Sequence, residues 1–310
     1  MSWRVVTVSS LSKLDYKMDY LVVRNTDGVK RIHLSEISVL MIESTAVSLT
    51  AYLLCELNKR KIDIIFCDER RLPYGMLLPL YGSHNASLKL REQIQWKDPV
   101  KAALWAEIVR EKIVGQIAVL ESEDCTEAAS LLCGYLEEVQ PGDTTNREGH
   151  AAKVYFNALF GKAFSREQEN AWNAALDYGY SIVLSTVARE ITACGYSTQL
   201  GVFHDNMFNN FNLASDLMEP FRTLIDRFVR EKNYRIFTSE QKREIIGILN
   251  ESVIINNTEQ YVTNAVKIYC RSVFDAIEEN DVSLIRFYRV RDIKTEIKCC
   301  LLYTSDAADE

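Results

Sequence analysis

The stretch GYSTQLGVFHDNMFNNFNLASDLMEPFR, from Gly195 to Arg222, decides how the rest of the chain is interpreted, because it interrupts sequence with helical periodicity. It places a single histidine, His204, in a run rich in asparagine, and two carboxylates, Asp216 and Glu219, follow three residues apart. Asparagine side chains compete for backbone hydrogen bonds and disfavour a long helix interior. The stretch therefore predicts a break between helices that brings polar side chains together.

A further carboxylate upstream completes a possible ligand set. Glu148 opens another helix in NREGHAAKVYFN, and imidazole with two carboxylates suits a divalent metal that acts on phosphate. Structural roles are open as well: Glu148 could complement the helix dipole in the first turn. SDLMEP also fits a capping box, with Asp216 at the N-cap and Glu219 at N3. Spacing alone favours capping and metal binding about equally.

The residues before about position 67 have the alternating pattern of strands. WRVVTV and YLVVRN are predicted strands, and Asp27-Gly28 predicts a hairpin before VKRIHL. ISVLMIE and IDIIFCD predict two further strands, separated by one helix in STAVSLTAYLLCELNKRK. Prolines and glycines between residues 73 and 82 then predict a linker.

From Leu88 to about Val290 apolar residues recur at three- and four-residue steps, which predicts helices. The predicted fold class is α+β: a small N-terminal β-sheet domain with one helix, residues 1–82, linked to a larger all-α helical bundle, residues 83–290. Residues 300–310, CLLYTSDAADE, match a translation of a transposase-type sequencing-library adapter. We expect them to be an artefact that replaces the native C-terminus beyond residues 290–299.

The composition is that of a soluble globular protein. No segment has the length and apolar character of a membrane span, and the N-terminus lacks a signal-peptide pattern, so we expect a cytoplasmic location. The net charge of -7 argues against binding nucleic acid by bulk electrostatics. No phosphate-loop, dinucleotide-binding, GxSxG or HExxH motif occurs, which leaves nucleotide hydrolysis, serine hydrolase and zinc protease activities without support.

Four segments carry a resemblance to a known family: NREGHAAKVYFNALFG, NAALDYGYSI, REITACGYSTQLGVFHDN and NLASDLMEPFR. Together they resemble the CRISPR-associated endonuclease/integrase family, Cas1, and in particular its type II-A subgroup. The N-terminal run IHLSEISVLMIESTAVSLTAYLLCELNKRKIDIIFCDE resembles the β domain of the same family. The resemblance extends in order from Met1 to about Val290 and ends before the C-terminal tail.

The resemblance implies a catalytic, metal-binding triad of Glu148, His204 and Glu219 that holds Mg²⁺ or Mn²⁺. Many relatives have aspartate at the third position, and the longer glutamate here bears on which metal is preferred. Asp216 matches a second acidic position near the metal and is expected to support the triad.

The resemblance also implies a function in CRISPR adaptation. In this family a homodimer joins the small Cas2 protein in a heterohexamer, and the complex inserts short foreign DNA into the CRISPR array. A 3′-hydroxyl of the incoming double-stranded DNA attacks a repeat phosphodiester, which is a transesterification. The β domain would form the dimer, and the helical domain would be catalytic. Basic side chains near the triad are the expected DNA contacts, with a solvated charged face as the alternative for each: Arg147, Lys153, Arg222, Arg227, Arg230 and Arg235.

Two other functions are compatible with the same residues. A metal-dependent nuclease would cut branched or single-stranded DNA by attack of water, without integration. A non-catalytic scaffold would bind DNA or protein and would use the acidic residues as helix caps.

Overall fold

A computed structural model describes residues 4–80 and 83–290 of the chain. The expected adapter-derived segment, residues 300–310, lies outside the described residues. Within the described ranges, none of the helices combines the length and the apolar character that crossing a membrane requires.

The N-terminal part is built on two four-stranded sheets. Its elements are β1 (Arg4–Val8), β2 (Ser12–Lys17), β3 (Tyr20–Asn25), β4 (Gly28–His33), β5 (Ile37–Ile42), β6 (Val47–Leu49), α1 (Ala51–Lys59), β7 (Asp63–Cys67) and β8 (Pro73–Met76). One sheet has the order β1-β5-β7-β8, with the first three strands parallel, and the other has the order β4-β3-β2-β6. The predicted strands and the single α-helix of this part are therefore present.

Strand β5 joins the N-terminal part to the rest of the chain because all six of its residues are buried. Leu40 and Ile42 pack into a core inside the N-terminal part, whereas Val39 and Met41 pack into the larger helical core. A parallel strand covered on both faces is expected to be continuously apolar, as ISVLMI is. The two predicted domains thus share a packed boundary.

The segment predicted as a linker contains a strand. Residues of β8 pair with β7 in antiparallel register, with Ile65 opposite Met76 and Phe66 opposite Gly75. Pro73 lies at the first position of this edge strand, where a missing N–H group is tolerated. Pro73 and Gly75, which contributed to the linker prediction, in fact lie in the edge strand of the sheet.

The C-terminal part is mainly helical and is organised around one central helix. Its helices are α2 (Ala86–Ile94), α3 (Asp98–Ser122), α4 (Thr126–Glu137), α5 (Arg147–Phe160), α6 (Ala171–Ala193), α7 (Asn212–Met218), α8 (Arg222–Lys232), α9 (Ser239–Ile246) and α10 (Val262–Glu279). Helix α3 buries runs of successive residues, 104–106 and 116–120, and packs against α4, α5, α8 and α10. Burial around its whole circumference identifies α3 as the core of this part.

The C-terminal part is not all-α, contrary to the prediction. A three-stranded antiparallel sheet forms from β9 (Ser252–Ile255), β10 (Thr258–Tyr261) and β11 (Tyr288–Arg289). Asn256 and Asn257 link β9 to β10 with φ values of 52° and 56°, the left-handed pair that a two-residue hairpin turn requires. The helical spacing predicted from Leu88 to about Val290 runs through these residues, and the Asn-Asn turn interrupts it between α9 and α10.

Close packing of α6 against α8 gives a stability test. A Cβ added at Gly179 would come closer than 3.0 Å to Ile225, so Gly179→Ala should force these helices apart and destabilise the fold by about 1–3 kcal/mol. Gly134 of α4 has no neighbour within 4 Å of its added Cβ. Gly134→Ala should therefore stabilise the protein by about 0.5–1 kcal/mol. Urea unfolding measures the free energy of unfolding of both variants. Equal changes in the two variants would contradict the close packing of α6 against α8.

Candidate active site

Glu148 lies in the first turn of α5, and a buried aspartate fixes the start of that helix. Asp143 accepts hydrogen bonds from the backbone N–H groups of Arg147 (2.8 Å) and Glu148 (2.9 Å). First-turn N–H groups have no partner within a helix, so Asp143 satisfies them. The carboxylate of Glu148 extends across to α3, where it contacts the Lys112 ammonium.

The loop around His204 is held by Asp216, whose side chain is fully buried. Asp216 accepts backbone N–H hydrogen bonds from Val202 (2.7 Å), Phe203 (3.1 Å) and His204 (3.1 Å). Its Oδ1 also lies 2.6 Å from Nδ1 of the His204 ring. The loop and the imidazole are therefore oriented by one carboxylate, which leaves Nε2 as the ring nitrogen not engaged by Asp216.

This close approach of loop and carboxylate requires the glycine in the loop. A Cβ at Gly201 would lie 2.7 Å from Asp216 Oδ2, which is closer than any side-chain carbon can pack. The hydrogen bond that the His204 ring makes to Asp216 raises the pKa of His204; burial opposes this shift, and the charges of Asp216, Glu219 and Glu148 add to it. His204 thus lies within electrostatic range of both other predicted triad members.

Glu219 begins a short 3₁₀ turn between α7 and α8, and its side chain is only 6% exposed. The capping-box alternative is wrong, because Phe211 occupies the N-cap position of α7 and Asp216 lies inside that helix. The carboxylate of Asp216 accepts hydrogen bonds from the loop around His204 instead. The carbonyl of Pro220 accepts a hydrogen bond from Tyr288 Oη (2.9 Å). Strand β11 therefore supports the turn that presents Glu219.

Lys112 of α3 joins the two glutamates. Its ammonium contacts Glu148 Oε1 and lies 2.5 Å from Glu219 Oε2. Burial alone would lower the pKa of Lys112, but the two carboxylates outweigh it and raise the pKa. Burial likewise acts to raise the pKa of Glu219, and Lys112 and Arg222 hold it below its usual value. One buried positive charge thus neutralises part of a pair of converging carboxylates.

A second layer of contacts lies behind Glu219. Arg222 Nε is 2.9 Å from Glu219 Oε1, and its guanidinium lies over the ring of Tyr180, 4.6 Å from the centroid. The hydroxyl of Tyr180 donates to Asp226. Burial raises the pKa of Asp226 to about 6, although its hydrogen bond to Tyr180 and the charges of Arg222 and Lys112 oppose this shift. Arg222 therefore links the site to a buried polar network in α6 and α8.

The donor set fits a divalent cation in its chemistry. Two carboxylates already converge on a single positive atom, Lys112 Nζ, and their charges act on the imidazole of His204, which Asp216 orients. Within residues 4–80 and 83–290, no three His, Cys, Asp or Glu groups are arranged so that they could hold a metal ion. Lys112 instead contacts both Glu148 and Glu219. The structure thus brings Glu148 and Glu219 together around a lysine that the sequence did not predict, and the charges of both carboxylates act on His204.

Most of the predicted DNA-contact residues are paired with acidic side chains. Four of the six form ion pairs with a glutamate: Arg222–Glu219, Arg147–Glu138, Arg227–Glu251 and Arg230–Glu123. Lys153 and Arg235 are exposed. The predicted basic surface is therefore largely a set of ion pairs, with Lys153 and Arg235 presented to solvent.

Comparison with known sequences identifies the family. The profile of the family described as CRISPR associated protein Cas1 matches residues 5–253, a span that contains Glu148, His204 and Glu219. The chain belongs to the Cas1 family. The predicted resemblance is thereby confirmed at the level of the family, and the type II-A subgroup stays a prediction.

Individual relatives agree with this assignment. The CRISPR-associated endonuclease Cas1 of Neisseria meningitidis serogroup C (strain 8013) is 39% identical over 227 residues, 73% of this chain and 74% of the relative. A solved structure of a casposase bound to integration product has a TM-score of 0.71 at 17% identity and covers 91% of this chain and 93% of that chain. A chain of the Cas6-RT-Cas1–Cas2 complex has a TM-score of 0.70 at 18% identity, covering 91% of this chain and 36% of that longer chain. The two structures share the fold of this Cas1 chain.

Sequence reasoning missed Lys112 because its two acidic partners lie on other segments of the chain. It lies on a face of α3 with Leu104, Trp105 and Ile108 nearby along the helix, all buried. The one available signal was a lysine within a long apolar helix, since such a residue needs an acidic partner when buried. Asp226 was missed for the same reason as Lys112: its hydrogen-bond partner, Tyr180, lies on another helix.

The hydrogen bonds of Asp216 give a test of loop order. Asp216→Asn replaces a carboxylate that accepts from three N–H groups with an amide that has one acceptor oxygen. Amide hydrogen exchange at Val202, Phe203 and His204 should accelerate by roughly tenfold or more. Asp205→Asn, an exposed change in the same loop, should leave these rates unchanged. Equal acceleration in both variants would show that Asp216 does not hold the loop.

Proposed function

We propose that this Cas1 chain is a divalent-metal-dependent DNA endonuclease and integrase of CRISPR adaptation, of the type II-A kind, which inserts short foreign DNA into a CRISPR array. The observation that carries the proposal is the convergence of Glu148 and Glu219 on one positive atom, with the oriented His204 ring in electrostatic range. The names of the Neisseria relative and of the casposase structure support endonuclease and integrase chemistry for this family.

Glu148, Glu219 and Nε2 of His204 are the groups that would hold Mg²⁺ or Mn²⁺. When bound, the ion would supply Lewis-acid stabilisation of a phosphodiester. Asp216 keeps the His204 ring oriented through Nδ1. The reaction exchanges one P–O bond for another: the 3′-hydroxyl of the incoming strand forms a bond to phosphorus, and the repeat strand leaves with its own 3′-hydroxyl. The exchange needs no oxidant and no nucleoside triphosphate.

Lys112 and Arg222 have a second role in this proposal. Lys112 is buried and Arg222 is partly exposed beside Glu219, and both would counter the negative charge of a phosphodiester that approaches the carboxylates. Without them two glutamates would repel the substrate. Fixed charges in a water-poor site interact more strongly than charges in solvent, so these two side chains would favour a phosphate close to Glu148 and Glu219.

The N-terminal part is the proposed dimerisation domain, which covers residues 1–82. Its surface carries several exposed large apolar side chains: Leu11, Met18, Tyr20, Val29 and Tyr52. Strand β4 is an edge strand with an unpaired side, which favours association unless it is covered. A homodimer through this surface, bridged with a second dimer by Cas2, is the proposed assembly; Cas1 and Cas2 appear together in the name of one structural relative.

A nuclease that cuts branched or single-stranded DNA by attack of water would use the same groups. The two activities differ in product: the integrase joins two DNA strands, whereas the nuclease releases shorter ones. The scaffold alternative uses neither reaction, and its capping role for Asp216 and Glu219 does not match the helix boundaries.

Strand joining tests the proposed function. A labelled short duplex is incubated with a plasmid that carries leader and repeat, the Cas2 partner and Mn²⁺. Wild-type protein should join the duplex to the plasmid. Glu148→Gln, His204→Ala and Glu219→Gln should each lower the rate by at least about 100-fold, because each removes a group that the metal site needs.

A matched variant controls for the effect of a substitution close to Glu148 in that assay. His150→Ala removes an exposed imidazole only two residues from Glu148 and should leave the joining rate within about twofold of wild type. Cleavage without joining would favour the nuclease. Full activity in all three triad variants would favour the scaffold.

Lys112 gives a test of metal binding that is independent of activity. Lys112→Met leaves two carboxylates without their cation, so the unfolding temperature in EDTA should fall, in line with a cost of about 3–5 kcal/mol for breaking a buried pair. Mn²⁺ should then raise the unfolding temperature of this variant more than that of wild type, because no ammonium has to be displaced.

Lys101→Met is the control for that measurement. Lys101 lies on the same helix and pairs with Asp98, whose side chain is 92% exposed, so little stability should be lost. An identical Mn²⁺ response in Lys112→Met and wild type would argue against a cation site between Glu148 and Glu219.

A further inference from the structure

The loop that carries His204 displays an unusual amount of apolar surface. Phe203 is 50% exposed, and Met207 and Phe208 are 88% and 87% exposed. Isolated exposed apolar side chains are common on proteins. Here they flank the imidazole of the candidate active site on one rigid loop, which suggests that they contact something there.

Phe203 differs from its neighbours because one face of its ring is already stacked. The ring lies parallel to the indole of Trp105, with centroids 4.3 Å apart and an angle of 3° between planes. Trp105 is 2% exposed and belongs to α3. Since Phe203 itself is half exposed, its second face is open, and the buried indole supports it from behind.

The backbone holds this ring in place. The N–H group of Phe203 donates to Asp216 Oδ2, and the N–H groups of Val202 and His204 donate to the same carboxylate. A preformed aromatic surface binds with less loss of conformational entropy than a mobile one. Phe203 is therefore suited to stack a flat ligand.

The orientation of His204 relates this surface to the reaction. Its ring is nearly perpendicular to both aromatic rings, at 87° and 5.5 Å from Phe203 and at 85° and 5.8 Å from Trp105. A ring stacked on the open face of Phe203 would lie within about 10 Å of the imidazole, given the usual 4.5–7 Å between stacked centroids. A nucleotide covers this distance between its base and the phosphate or hydroxyl of its sugar.

We propose that Phe203 stacks the terminal base of the incoming DNA strand and thereby positions the attacking 3′-hydroxyl. This inference rests on the proposed function. A base inside a duplex has neighbours on both faces, whereas the nucleotide that carries the 3′-hydroxyl is terminal and has one open face. Stacking on an aromatic ring accepts any base, which suits an enzyme that inserts DNA of many sequences. Phe203 is in this sense a positioning residue: it orients the reacting group and does no chemistry.

The alternative role of Phe203 is to cover Trp105, and the choice of substitution separates the two. Phe203→Leu keeps an apolar cover over the indole but removes the aromatic face. Phe203→Tyr keeps both. If covering is the only role, both variants should behave like wild type; if stacking matters, only Phe203→Tyr should.

The test measures binding to DNA in EDTA, where no chemistry occurs. One DNA has a normal 3′-terminal nucleotide, and its partner has an abasic residue at that position. For wild type and Phe203→Tyr the abasic end should weaken binding roughly tenfold. For Phe203→Leu the two DNAs should differ by less than about twofold, since the base then has no stacking partner. The fluorescence of 2-aminopurine at the terminal position should be quenched by wild type and not by Phe203→Leu.

Two controls make the result specific. Phe208→Leu changes the same residue type in the same loop and should retain the tenfold preference. An abasic residue placed several nucleotides inside the duplex should have the same small effect on every variant. A tenfold preference that survives in Phe203→Leu, or one that is lost equally in Phe208→Leu, would overturn the inference.

The outcome is separable from that of the proposed function. Strand joining by wild type, together with an unchanged end preference in Phe203→Leu, would overturn only the role of Phe203. Loss of the end preference in Phe203→Leu, with no strand joining or cleavage by wild type, would support the stacking surface and overturn the integrase.

Discussion

Two carboxylates that converge inside a protein require a positive charge between them, and this electrostatic constraint governs the site. Glu148 and Glu219 come from segments about seventy residues apart, and Lys112 of α3 contacts both. Removing ions from water is costly unless partners replace the hydration. Arg222 adds a second positive charge on the far side of Glu219. In the proposed function a divalent cation takes over part of this role, so Lys112 would keep the site folded when no metal is bound.

The fold meets this constraint by placing one buried helix among the segments that supply the acids. Helix α3 packs against α5, which begins with Glu148, and against the 3₁₀ turn that contains Glu219. Each segment is then fixed locally by hydrogen bonds: Asp143 holds the start of α5, and Tyr288 holds the turn at Pro220. Tyr288 belongs to the small sheet that interrupts the helical part. Elements far from the site in sequence therefore determine its geometry.

The sequence predicted the helices and strands better than it predicted the contacts between them. The spacing of apolar residues in strands such as YLVVRN differs from the spacing in helices. Helical spacing identified most of the C-terminal part. Asp216 and Glu219 were ambiguous because a D-x-x-E spacing serves a capping box as well as a ligand pair. The hairpin at Asn256 and Asn257 was missed because its flanking residues also fit a helical stripe. Lys112 could not be assigned, since its partners depend on how α3, α5 and the 3₁₀ turn pack together.

The pairing of arginines with acids bears on how a chain with a net charge of -7 can act on DNA. Arg227 and Arg230 each contact a glutamate, with side chains 26% and 34% exposed. Partly exposed pairs contribute little stability, so a DNA phosphate can replace the carboxylate at small cost. A single phosphate would gain little by this exchange, because the displaced glutamate stays nearby and repels it. A DNA duplex that contacts several arginines together would gain more binding free energy, because one rigid molecule makes all the contacts at once. In the proposed function, such an arrangement would weaken binding to arbitrary DNA and favour a duplex that reaches several of these arginines together.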